Sequence, residues 1–159
     1  MTSAVLALLA GVGAAGTAAE RGALWGKLNP YIECINSASP QVGHGARLYS
    51  GWVDVRKGPT GKEKVVNGVL ALPASIVERC LRAMQAAEAK APRRPELEQA
   101  GAAYAKALVE VQARTGEAYD YYHQGDYKDD RMARGKAMHP ALMQAWERFH
   151  AADDGLRAL

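Results

Sequence analysis

Three tyrosines, two histidines and three aspartates fall in the run YYHQGDYKDDRMARGKAMHP, Tyr121 to Pro140. Acid–base pairs, metal cages and sugar platforms are all built from these side chains. His123 or His139 beside Asp126, Asp129 or Asp130 could serve a hydrolase, which needs one group giving a proton near neutral pH and one taking it. The same three carboxylates could converge on a hard cation such as Ca²⁺, although the D-x-[DN]-x-[DN]-G spacing of an EF-hand is absent. Tyr119, Tyr121, Tyr122 and Tyr127, with Trp52, could instead form an aromatic platform for a glycan or a peptide.

Each possibility has a plainer counterpart. Gly125 can turn the chain at positive φ without steric cost. The segment then reads as a helix–turn–helix junction, with Asp126 or Asp129 capping the second helix and Asp130 facing Arg134 at i,i+4. Tyr119 and Tyr122, spaced i,i+3, fit a core stripe. His123 lies beside the turn, whereas His139 lies nine positions past Asp130, about 13 Å along a helix, so the two histidines do not share a site. The junction is the preferred reading. No catalytic residue, cofactor or metal is assigned, and the candidate binding surface is Trp52, Tyr121, Tyr122, His123, Asp126, Tyr127, Asp129, Asp130, Lys136 and His139. The hydrolase and the cation module stand as alternatives.

The stretch GPTGKEK (Gly58–Lys64) invites a phosphate-loop reading, but Gly61 comes too soon and Glu63 stands where a hydroxyl is needed. A β-turn with Pro59 at its second position fits better, and an anion held by Lys62 and the loop amides is a weaker option. No G-x-S-x-G or H-E-x-x-H set occurs.

These residues must be carried by helices. Leu28, Tyr31, Ile32 and Ile35 recur at i, i+3, i+4, i+7, and Asn29–Pro30 offers a helix start. Ile76, Cys80, Met84 and Ala87 form a stripe after Pro73 and Ser75. Leu97, Tyr104, Leu108, Val111 and Tyr119 form another, and Met132, Leu142, Met143, Trp146 and Phe149 a last one, which Pro140 should kink or divide. VVNGVLALP is ambiguous between a short strand and an apolar loop. The expected fold is all-α, an antiparallel bundle of long amphipathic helices with a short irregular Gly-rich region near residues 40–73.

With 159 residues, 48% hydrophobic and 23% charged, the chain has enough material for one cored domain. A net charge of +3, with basic and acidic residues interleaved, gives no nucleic-acid stripe. The uncharged opening MTSAVLALLAGVGAAGTAA is too short and Gly-broken to span a membrane. It resembles the apolar core of a secretory signal without the basic start, with small residues for cleavage near Ala18 or Ala19. Residues 1–19 are therefore expected to be a leader, and 20–159 a single periplasmic or secreted helical domain. In that compartment Cys34 and Cys80 are permitted to pair; two buried thiols are the other reading, since pairing needs Cα atoms within about 7 Å.

In order along the chain, KLNPYIECIN, WVDVRKGPTGKE, YDYYHQGDYKDDRMARGKAMHP and LMQAWERF resemble the YiiG-like family of bacterial envelope proteins, from about Lys27 onward. The resemblance implies an exported, mostly helical domain, often behind a lipoprotein signal, and no activity, substrate or cofactor. The chain lacks a lipid-acceptor Cys after its leader and ends where more helices are expected. A shortened member would leave an apolar helix face uncovered and favour self-association. The function expected is binding or structural interaction with an unknown envelope protein or glycan.

Overall fold

A computed structural model describes residues 16–159; residues 1–15, most of the expected leader, lie outside them. The described chain is helical: α1 (Ala18–Ser50), α2 (Ala74–Glu88), α3 (Pro95–Gln124), a short 3₁₀ turn (Asp126–Lys128) and α4 (Ala133–Arg157). The ion pairs set the directions. Glu110 with Arg148 and Glu117 with Arg134 run α3 and α4 antiparallel. Lys27 near Glu88 and Cys34 bonded to Cys80 do the same for α1 and α2. The helices therefore form the expected antiparallel bundle, with α3–α4 and α1–α2 as its closest pairs.

α1 is longer than the sequence suggested at both ends. It starts at a capping box, in which the Thr17 hydroxyl accepts from the Glu20 amide and the Glu20 carboxylate accepts from the Thr17 amide. Asn29–Pro30 therefore starts nothing. The helix runs through Pro30 and Pro40 and ends at Ser50, so the irregular region spans 51–73 rather than 40–73. α4 likewise continues through Pro140. Each proline removes the partner of the carbonyl four residues earlier. Those positions, Gly26, Asn36 and Lys136, are all exposed, where water replaces the lost bond. Burial of Tyr31, Cys34, Ile35, Ala38 and Val42 on the inner face then outweighs the local penalty.

Between α1 and α2 the chain crosses the bundle as an apolar strap. VVNGVLALP is loop, not strand, and it buries Val69 and Leu72. The Leu72 amide donates to the Thr115 hydroxyl of α3 at 3.1 Å.

Lys27 anchors the opposite end. It is fully buried, and its ammonium donates to the carbonyls of Glu88 (3.2 Å) and Lys90 (3.1 Å) and to the Glu98 carboxylate (2.6 Å). The bond from Lys27 holds the Glu98 carboxyl below its ordinary pKa. One cation thus closes the C-terminal end of α2 and ties α1 to α3.

Candidate functional site

Gly125 ends α3 in the left-handed region at φ 85°, as the junction reading requires. The chain makes one 3₁₀ turn and enters α4 through Arg131 and Met132, both at positive φ. The cap is not where the sequence placed it. Asp130, not Asp126 or Asp129, binds the start of α4: one carboxylate oxygen accepts from the Arg134 amide (2.9 Å) and the other from the Tyr121 hydroxyl (2.8 Å). Desolvation pushes the Asp130 carboxyl up, but these hydrogen bonds outweigh it and hold the pKa below the ordinary value. The Arg134 guanidinium turns away from Asp130 to Glu117, over the Tyr121 ring.

Behind the junction lies an aromatic cluster centred on Tyr49 of α1. Its ring is 5.4 Å from Trp52, 5.6 Å from Trp146, 5.8 Å from His139 and 6.4 Å from Tyr122. The Trp52 indole donates to the Gly68 carbonyl at 2.9 Å, which fixes the strap over the cluster. His139 bridges the Val55 carbonyl (3.0 Å from Nε2) and the Tyr49 hydroxyl (2.9 Å from Nδ1). A carbonyl can only accept, so Nε2 carries the proton and Nδ1 accepts from Tyr49. Burial raises the Tyr49 pKa to about 12 and pushes Tyr121 and Tyr122 up as well.

The GPTG motif belongs to this arrangement. Gly58 (φ 74°) lies flat on the His139 ring, where an added Cβ would stand 2.9 Å from Cδ2. Gly61 (φ 83°) packs on the Arg131 carbonyl in the same way. The Glu63 carboxylate accepts from the Thr60 and Gly61 amides, so it already occupies the place an anion would take between them. The loop is a docking clip, and the anion reading gives way to the chain's own glutamate.

The sequence-derived surface therefore splits. Tyr121, Tyr122 and His139 are buried, and Trp52, Asp126, Tyr127 and Asp130 are half-buried, while His123, Asp129 and Lys136 are exposed. Tyr119 is the half-buried member of the expected core pair, and Tyr121 takes its place inside. No hydrogen bond joins His123 or His139 to a carboxylate among the described residues, and both ring nitrogens of His139 are occupied. No group of three or more His, Cys, Asp or Glu side chains among the described residues could hold a metal ion.

Among the concave regions of the described surface, two adjoin the elements discussed above. One, of about 210 Å³, lies between residues 66–69 of the strap and Tyr119, Tyr122 and His123 of α3. The other, of about 370 Å³, is an apolar groove between α1 and the end of α4, lined by Leu28, Ile32, Ile35, Leu97, Leu156 and Leu159. Neither was foreseen as a cavity. Tyr49 was missed because nothing marks it in sequence except its place among Leu48 and Trp52. The second buried polar set, Ser39 between the Tyr104 hydroxyl (3.0 Å) and Asp153 (2.8 Å), was missed because its members lie far apart in the chain.

Residues 23–158 match the family model described as protein of unknown function (DUF3829). The uncharacterized protein YiiG of Escherichia coli (strain K12) is 29% identical over 133 residues, covering 83% of this chain and 38% of the E. coli protein. The chain thus spans about two fifths of the length of that curated relative. No solved structure matches.

Proposed function

We propose that this chain, which belongs to the DUF3829 family of proteins of unknown function, is an exported helical envelope protein that acts by binding and structural interaction and not by catalysis. The observation that carries the reading is the disulfide between Cys34 and Cys80, which joins α1 to α2 with Cα atoms 5.2 Å apart. Such a bond persists in an oxidising compartment and is rare in a reducing cytosol. No described helix is long and apolar enough to cross a membrane.

Residues 1–19 serve as the leader on this reading, and 20–159 as one periplasmic or secreted domain. The packing supports a cut near Ala19. Positions 17–23 are all exposed, and the first buried side chain among the described residues is Lys27. Of the described leader residues, 16–19, removal costs the Thr17 cap, about 1 kcal/mol, and no buried side chain. The aromatic cluster and the Asp130 junction are the scaffold that holds the strap and the α3–α4 turn in place.

Fractionation of the native host with N-terminal sequencing tests the export. The mature chain is expected in the envelope fraction beginning near Ala19 or Glu20. Intact Met1 recovered from the cytoplasm would reject it.

A further inference from the structure

We infer that this chain pairs with a second copy of itself across the apolar groove between α1 and the end of α4, each copy laying Trp25 in the other's groove. The inference deepens the structural-interaction reading above by naming its partner, and it does not depend on export.

α1 outruns the bundle. Upstream of Lys27 none of its side chains is buried, so residues 18–26 extend past the groove as a solvated length of helix. That length carries a large apolar side chain in water: Trp25 is 62% exposed. Ile32, in the wall of the groove, is 38% exposed, and Leu159, which also lines it, 56%. A second hollow, of about 330 Å³ at the start of α3, shares Leu28, Leu97 and Leu159 with the groove and continues it. Single exposed apolar residues are ordinary, but a contiguous apolar face with a groove in it marks an interaction site.

The face is complementary to itself. Trp25 and Ile32 are seven residues apart, so they share one side of α1, offset by about 20° and separated by about 10 Å along the axis. A two-fold axis between Leu28 and Asn29 turns the second α1 antiparallel and lays Trp25 of each copy on Ile32 of the other. The same operation brings Arg21 to Asn36. A projection and a hollow on one patch, two turns apart, are what an isologous contact requires. The groove, of about 370 Å³, has room for an indole, and tryptophan is among the side chains that most often anchor an interface.

Charge favours a second copy over a charged partner. Arg157 and the buried Tyr31 are the only ionisable side chains lining the groove, and Arg157 is already paired with Asp153 at 2.9 Å. An acidic or basic peptide finds no countercharge there. Along the strip of Arg21, Trp25, Leu28, Asn29, Ile32 and Asn36, Arg21 is the one charge. In the antiparallel pair the two Arg21 stand about 22 Å apart along the helices, well past the screening length of about 8 Å. The two Trp25 side chains would remove about 200–300 Å² from water, and the walls they cover a similar amount. That is below the roughly 1,200 Å² of a stable interface, so the dimer is reversible and concentration-dependent.

The test is sedimentation equilibrium of the full chain from about 1 μM to 1 mM, with an isotope-filtered NOE measurement on a mixture of labelled and unlabelled copies. The mean mass should rise with concentration from that of one chain toward that of two. The Trp25 ring protons should show intermolecular NOEs to the Ile32 methyls, which lie two turns away within one copy and give none there. Trp25→Glu and Ile32→Glu should each raise the dissociation constant at least tenfold. Both side chains are exposed, so the variants should keep the wild-type circular dichroism. The uncharged opening residues are common to wild type and variants, so association driven by them would survive both substitutions. The pairing is overturned if the chain stays monomeric at 1 mM, if both variants associate as the wild type does, if the Trp25 NOEs run elsewhere, or if the monomer instead binds phosphatidylglycerol vesicles through Trp25. Export is read separately, in the cell, so failure of one leaves the other standing.

Discussion

Gly101→Ala and Gly116→Ala are the same change in the same helix, and they should move stability in opposite directions. Both positions lie inside α3, where alanine is favoured over glycine by about 0.8–1.0 kcal/mol. At Gly116 an added Cβ meets nothing within 4 Å, so that gain should appear nearly whole. At Gly101 the Cβ would stand 2.3 Å from Cε1 and 3.0 Å from Cδ1 of Tyr31. Tyr31 is only 2% exposed, so its ring can escape only by displacing other core side chains. Overpacking of this kind costs about 1–3 kcal/mol, and a contact this short belongs in the upper part of that range. Subtracting the helical gain leaves Gly101→Ala about 1–2 kcal/mol less stable than wild type. Thermal unfolding followed by circular dichroism resolves the pair, since 1 kcal/mol moves the midpoint by about 2–4 °C in a domain of this size. If both variants rise, or Gly101→Ala is neutral, α1 does not pack on α3 through Tyr31 and the reasoning fails.

Replacing both Cys34 and Cys80 by Ser should cost about 4 kcal/mol by the loop-entropy relation, for cysteines separated by 46 residues, measured by urea unfolding against the oxidised wild type. Tyr49→Phe should cost about 1–3 kcal/mol, because it leaves Nδ1 of buried His139 without its donor, and amide exchange in the strap at residues 53–58 should quicken. Asp130→Ala should lower the melting temperature more than Asp129→Ala, since only Asp130 holds both Tyr121 and the Arg134 amide. The folded pKa of Asp130 is lowered, so its contribution is whole above the ordinary value of 3.8 and fades as pH falls through the folded value. Asp130→Asn should therefore flatten the acid limb of the stability curve and leave the neutral region parallel to wild type. Calcium should not shift the melting temperature, because no carboxylate cage forms at Asp126–Asp130.

Where apolar residues recur with helical period, the sequence was readable. The stripes through Cys80 and Met84, through Tyr104 and Leu108, and through Leu142, Trp146 and Phe149 are all buried as expected. The turn at Gly125 was readable too, because φ 85° suits glycine and few other residues. Prolines misled. Pro30, Pro40 and Pro140 look like helix breaks locally, yet tertiary burial holds the helices through them. The polar cluster at Tyr121–Pro140 misled in another way. His139 looks like a free base until the strap folds over it, and that contact joins residues 84 positions apart. Sequence spacing along one helix cannot reveal a partner supplied by a distant loop. For the same reason GPTG read as a turn but not as a clip: what Gly58 and Gly61 press against lies on the α4 side of the bundle. Lys27 carried no signal, because a lone lysine on an apolar stripe differs from a surface lysine only in the carbonyls brought to it by α2.

The account rests on export of a disulfide-tied helical domain, and the oxidation state of the two cysteines in the living cell tests that most directly. Cells of the native host are quenched in acid, the protein is denatured without reductant, and free thiols are labelled and counted by intact mass. The account predicts an unlabelled chain lacking about nineteen N-terminal residues, with both cysteines accepting label only after reduction. A chain that keeps its leader and carries label on both Cys34 and Cys80 would contradict it.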